Sequence, residues 1–239
     1  MGSVVTFANL PYRETTAGVK RARITGAEMK DMSAEVITLA SGATLAESVP
    51  MGSDFYFLTL LGTVMVSGAG TKERVEQESF VTVQEGTTVT VTNADAAEAT
   101  LIAVLAPPEN RGGALAGFSG GVSVAARATT PVHAIPEQLK HRIYFAGKEA
   151  ARTERAHAMI VLYEKDTVTG MHMHPNAESM FVFLSGQTRF TVNGEDVIVG
   201  RGQATYFPTS DRHGLRVAEG DEVSFLEFHV PAAFTTIRS

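Results

Sequence analysis

Short runs of Val, Thr, Phe and Leu, punctuated by Gly, Asn, Asp and Pro, fill two stretches of the chain. From Glu35 to Pro107 they read "EVITLASGATLAESV", "FYFLTLLGTVMVSG", "FVTVQEGTTVTVTN" and "ATLIAVLAPP". From His157 to Pro231 the same pattern returns as "AMIVLYEKDTVTG", "SMFVFLSGQTRFTV", "DVIVGRGQATYFP" and "VSFLEFHVP". β-branched and aromatic residues between turn formers are the signature of strands, so both stretches are predicted to be β structure.

The second stretch reads as a copy of the first. The turn glycines Gly62 and Gly186 lie 124 positions apart. Carried without gaps, that offset pairs Phe57 with Phe181, Leu60 with Leu184, Gly70 with Gly194, Val75 with Val199, Glu98 with Glu222 and Pro107 with Pro231. Coincidence of turn glycines with strand hydrophobics over the whole stretch points to a tandem duplication of an all-β unit. The expected organisation is residues 1–107 as one barrel, 108–134 as a linker and 135–239 as the second barrel. The linker contains "PENRGGALAGFSGG", Gly- and Ala-rich and suited to cross a surface. After it, a short strand is expected at Arg142–Phe145 and a helical turn over Lys148–Arg155.

Composition narrows the chemistry. The 239 residues contain no Cys, so disulfides, thiolate metal sites and a Cys nucleophile are excluded, and any metal must be held by His and carboxylate. With 20 Lys and Arg against 26 Asp and Glu, and no basic cluster, nucleic acid is not an expected partner. No apolar run approaches the roughly 18 residues that span a bilayer, and the N-terminal stretch lacks a signal-like pattern, so a cytoplasmic protein is expected.

The chemistry concentrates in "GMHMHPNAES", Gly170 to Ser179. On a strand, residues i and i+2 share a face, so His172 and His174 would stand side by side, with Met171 and Met173 turned away as packing residues. Glu178 follows across the turn-prone "PNA", and His213, in "YFPTSDRHGL", lies where an antiparallel barrel could bring it alongside. Imidazole and carboxylate suit divalent transition metals, and such a set leaves coordination positions open for water or substrate.

These segments resemble the two motifs of the cupin superfamily. His172, His174 and Glu178 fit the first, although Gly186 falls one residue later than its glycine. Gly202, Pro208 and His213 fit the second, in which Ser210 replaces a glycine and Val217 an asparagine. At the offset of 124, His172, His174, Glu178 and His213 pair with Ser48, Pro50, Asp54 and Val89, so the first copy keeps one carboxylate, expected to be an exposed relic. The resemblance implies a bicupin: all-β, two tandem cupin (double-stranded β-helix, jelly-roll) barrels, with metal ligands His172, His174, Glu178 and His213 in the second only.

It further implies one divalent transition metal, Fe, Mn, Zn or Ni. The implied activity is an enzyme acting on a small polar or anionic metabolite, by dioxygenase-type chemistry or by Lewis-acid isomerase, decarboxylase, lyase or hydrolase chemistry; the alternative is a non-catalytic ligand-binding or structural bicupin. The architecture is similar to that of ureidoglycine aminohydrolases, whose ligand pattern differs from the residues found here. Barrel pairing is implied too, between two chains of a homodimer or between the two copies of one chain.

Other residues carry weaker signals. Glu227 and His229 share one face of "SFLEFHV". If that face is the interior they are acid or base candidates beside Tyr206; the exterior or an interface is the favoured expectation. Tyr206 and Phe207 alternate, so one faces inward. His133, His141 and His157 are expected at the surface, Met180 in packing, and Phe55, Tyr56 and Phe57 in core.

Overall fold

A computed structural model describes residues 1–108, 115–148, 150–217 and 222–238. These form four sheets, two for each copy of the repeat, antiparallel except where Ala151–Arg152 runs parallel to Lys140–Gly147. The offset of 124 found in the sequence holds strand for strand: Ser33–Leu39, Asp54–Leu61 and Ala99–Ala106 correspond to His157–Tyr163, Glu178–Ser185 and Val223–Val230, end to end. The glycines that set the register, Gly62 and Gly186, both lie at positive φ, +77° and +69°. A Cβ on Gly186 would lie 1.9 Å from the Glu222 carbonyl oxygen, so both the backbone and the space demand glycine there.

Each barrel is a jelly roll made of one large and one small sheet. In the second barrel the large sheet runs Ser3–Thr6, Gln203–Phe207, Glu178–Ser185, Val223–Val230, His157–Tyr163, Lys140–Gly147, His133–Ile135, with Ala151–Arg152 beside Lys140–Gly147. The small sheet runs Glu195–Gly200, Gln187–Val192, His213–Val217, Val168–Met173, Ile237–Arg238.

The large sheets of the two barrels pack face to face. Central strands such as Asp54–Leu61 and Glu178–Ser185 are therefore buried on both sides, which is why they read as nearly unbroken apolar runs. Strands of the small sheets, such as Gln187–Val192, alternate buried and exposed residues because one side meets solvent. Three cores result. One fills the first barrel, with Phe55, Phe57, Val81 and Val89; one lies in the second, with Phe181, Phe183, Phe190 and Phe207; the third joins the barrels through Tyr56, Phe80, Phe145, Met180, Tyr206 and Phe228. In the joint core Phe80 and Phe145 stack at 5.2 Å and Tyr56 meets Phe228 edge-on at 5.4 Å, each pair adding about 0.5–1.5 kcal/mol beyond its buried area.

Three expectations need correction. Residues 1–107 and 108–134 do not divide as barrel and linker: Ser3–Thr6 pairs with Gln203–Phe207 of the second barrel, and Val122–Ala125 pairs with Phe80–Val83 of the first. Part of that linker, 109–114, is outside the described residues, as is Glu149 of the expected helical turn. Around Glu149 the chain forms the strand Ala151–Arg152, and the strand before it extends from Lys140 to Gly147.

Asp54 is not an exposed relic. It is fully buried and accepts hydrogen bonds from the Phe118 amide (2.8 Å), the Thr153 hydroxyl (2.9 Å), the Tyr56 hydroxyl (3.1 Å) and Arg155 Nη1 (3.1 Å). Among the described residues no helix is long and apolar enough to cross a membrane.

Candidate metal centre

His172 and His213 face each other across adjacent strands of the small sheet, and His174 follows just beyond the strand end. Their ring centroids lie 4.4, 5.2 and 5.4 Å apart in the pairs His172–His213, His172–His174 and His174–His213. All three line a cavity of about 760 Å³ in the second barrel.

The backbone fixes how each ring presents itself. Nδ1 of His172 lies 2.9 Å from the Gly170 carbonyl, that of His174 3.0 Å from Thr235, and that of His213 3.1 Å from Asp211. A carbonyl can only accept, so each Nδ1 carries the hydrogen and each Nε2 is left with its lone pair. The Nε2 atoms of His174 and His213 are buried with no hydrogen-bond partner. A ligating donor atom from each of the three residues lies within 4.8 Å of the others. Nitrogens about 2.1 Å from one tetrahedral ion lie about 3.4 Å apart, so a metal would draw the rings together by about an ångström at most contacts.

Burial keeps the rings neutral, the form that ligates. His174 is pushed down from 6.5 to about 4 by burial and by the neighbouring His229. Burial likewise lowers His172 and drives His213 well below its ordinary value. Phe207 stacks on His213 at 4.3 Å and fixes that ring from the side. The turn before His213 contains Ser210 at φ +68°, the left-handed conformation for which the motif uses glycine, and its amide donates to the His174 carbonyl at 2.9 Å.

Glu178, expected as a fourth ligand, is not in this cluster. Its side chain turns to the other face of its strand and takes hydrogen bonds from the successive amides of Lys30 (2.5 Å), Asp31 (2.9 Å) and Met32 (3.0 Å). The inward position beside it belongs to Ser179, whose hydroxyl is 2.9 Å from His229 Nδ1. His229 Nε2 donates to Glu227 Oε1 at 2.7 Å. Glu227 and His229 thus face the interior, against the favoured expectation of the exterior, and the His229 ring lies 4.7 Å from that of His174. Burial raises the Glu227 carboxyl, but the His229 hydrogen bond and the charges of His229 and Arg142 outweigh it, leaving Glu227 at about 2.

Tyr206 leaves the list of acid or base candidates, because its hydroxyl points into the joint core and donates to Glu28 at 2.9 Å. Phe207 is the inward member of that pair. Tyr56 faces the joint core, whereas Phe55 and Phe57 fill the first barrel. His133 is exposed, and His141 pairs with Glu164 near the surface. His157 is not a surface residue: it lines the cavity, its ring 6.3 Å from His229, and burial lowers its pKa to about 4.

The C-terminal segment was not foreseen as part of the site. Thr235 supplies the carbonyl that orients His174, Phe234 stacks on His229 at 4.0 Å, and Ile237–Arg238 pairs with His172 and Met173. Asn176 holds this segment, accepting from the Thr235 amide and donating to the Ala233 carbonyl. "AAFTTIRS" carries no pattern that signals this role. Lys140 and Arg142, which also line the cavity, were not singled out from the sequence: the expected strand began at Arg142, and only its extension back to Lys140 puts the two at i and i+2 on the Tyr144 face.

Residues 159–229, the greater part of the second barrel, match the Cupin domain family. Solved structures that superpose on nearly its whole length have the same fold. Oxalate decarboxylase of Lactobacillus farciminis, in a formate complex, shares 12% identity over 98% of this chain and 88% of its own, with a TM-score of 0.76. Protein YlbA of E. coli shares 12% identity over 97% and 91%, with a TM-score of 0.78. A variant of Bacillus subtilis oxalate decarboxylase gives 12%, 98%, 78% and 0.75. Identities this low establish the fold alone. No curated protein sequence matches the chain at a significant level.

Proposed function

We propose that this protein is a metal-dependent cupin enzyme acting on a small polar or anionic metabolite, with one divalent transition metal held by His172, His174 and His213. The observation that carries the reading is the set of three Nδ1–H bonds to backbone carbonyls, which leaves three Nε2 lone pairs free beside one another. Orienting bonds of this kind are what metal-bound histidines require. Two buried nitrogens without partners would be a cost to the fold with no return unless something binds them.

Iron, manganese, zinc and nickel all suit three imidazoles. A bound ion would supply Lewis-acid polarisation of a substrate oxygen or, if redox-active, electron transfer. The protein's own residues bind and orient: His229 with Glu227 and Ser179 forms a hydrogen-bonded row beside His174, and Glu227 reaches the cavity as a carboxylate. A related fold, Bacillus subtilis oxalate decarboxylase, is described with Mn(II) centres, which places manganese among the first metals to try.

The test is the metal content, by elemental mass spectrometry, of protein purified without added metal and after reconstitution, beside His172→Ala with His174→Ala. One metal per chain, lost in a variant whose melting curve still shows a folded protein, supports the assignment. A folded wild-type protein that takes up no divalent metal would leave a ligand-binding or structural bicupin in its place.

A further inference from the structure

Four cations, Lys140, Arg142, Lys148 and Arg238, line the cavity against one acid, Glu227. Lys140 and Arg142 stand at i and i+2 of the strand Lys140–Gly147, and both enter the barrel. Lys140 is only 8% exposed, and its Nζ sits 5.9 Å from the centre of the Tyr163 ring. Arg142 donates from Nη1 to the Tyr144 hydroxyl at 3.3 Å, while its Nε is buried with no partner. Among the described residues neither has a carboxylate within salt-bridge distance. The one acid lining the cavity, Glu227, is engaged by His229. Buried cations are normally paired, and two left unpaired in one cavity point to an anion that arrives with a ligand.

A row of rings connects the cations to the histidine cluster. Tyr144, to whose hydroxyl Arg142 donates, lies 5.8 Å ring to ring from His157; the His157 ring is 6.3 Å from that of His229, which is 4.7 Å from that of His174. The cations and the histidines are thus two separate poles of one cavity.

We infer that Lys140 and Arg142 form a carboxylate-recognition subsite, and that the substrate is a short-chain dicarboxylic acid, one carboxylate on these two cations and an oxygen of the other directed to the histidines. The guanidinium supplies the planar fork that a carboxylate matches, and the ammonium a second, adjustable charge. This inference rests on the proposed function for the pole at the histidines but not for the pole at Lys140 and Arg142.

The experiment is a binding series by calorimetry on metal-stripped and metal-loaded protein with succinate, its monoamide and the neutral butane-1,4-diol. Wild-type protein, Arg142→Gln, Lys140→Met and the charge-preserving Arg142→Lys are compared, with metal content measured on each. Succinate should bind the metal-stripped protein at least 10-fold more tightly than the diol, and metal should tighten it again. Arg142→Gln and Lys140→Met should each lose 10-fold or more with metal content unchanged, and Arg142→Lys should recover part of the loss. Equal affinity for acid and diol, or variants that bind succinate like wild type while still holding metal, would overturn the subsite and leave the metal centre standing. Loss of succinate binding in the variants of a protein that takes up no metal would support the subsite and remove the metal centre.

Discussion

Asp54 and Glu178 occupy the same position in the two copies of one fold, and each carboxylate is held by the segment that leads into the other barrel. Glu178 receives the amides of Lys30, Asp31 and Met32. Asp54 receives Thr153 and Arg155, which lie at the equivalent place ahead of the second barrel. The residue that the motif suggested as a metal ligand, and the one that looked like its remnant, are both fasteners of the joint between barrels.

Glu178→Gln is accordingly expected to lower stability by about 2 kcal/mol, the scale of hydrogen bonds to a charged acceptor, and to leave metal uptake at the wild-type level. Denaturant unfolding and elemental analysis on the same preparation check both halves. A loss of metal in a folded Glu178→Gln protein would return the carboxylate to the coordination sphere.

Asp54→Ala strands Arg155, whose side chain is 5% exposed, and Glu85 at its outer edge cannot replace the lost partner alone. A loss of about 3–5 kcal/mol is expected. Adding Arg155→Met should restore part of it, and a double-mutant cycle would measure the coupling.

Acid should destabilise the metal-free protein early. His157 and His174 bind protons only near pH 4 when folded but near 6.5 when unfolded, and His213 is lowered in the same direction. Between those values the unfolded chain holds more protons, so stability falls as pH drops from about 6.5 towards 4, by up to about 1.4 kcal/mol per unit for each such histidine. Urea midpoints measured with chelator at a series of pH values test this. Added metal, which competes with the proton for two of these rings, should raise the midpoints and shift the acid limb downward.

Removing Phe234–Ser239 takes away the Thr235 carbonyl that orients His174 and the strand that pairs with His172. Metal affinity is expected to fall about 10- to 100-fold, the usual scale for loss of such support. Competition with a chromophoric chelator reads this directly, and unchanged affinity would mean that the tail is only a cover.

The strands of both barrels were legible because repetition doubles the signal: Gly62 and Gly186 anchor a register in which the central strands coincide to the residue. The clustering of His172, His174 and His213 was legible, since period-two spacing and the second motif do not depend on loop length. Glu178 failed because the motif tolerates either three or four residues after the second histidine, and strand parity cannot be carried across the "PNA" turn. The late Gly186 was the warning: counted back from that glycine, the inward position is Ser179. Phe234 and Thr235 act through a ring face and a backbone carbonyl, neither of which leaves a pattern in a sequence.

The exchange of edge strands has a consequence for how the chain is made. Ser3–Thr6 is synthesised about 200 residues before its partner, Gln203–Phe207, so the sheet of the second barrel cannot close until nearly the whole chain has emerged. The second barrel expressed alone would lack that strand and present a bare sheet edge, a template for self-association. The two halves are interlocked, and the half that carries the histidine cluster cannot be cut free as a smaller protein.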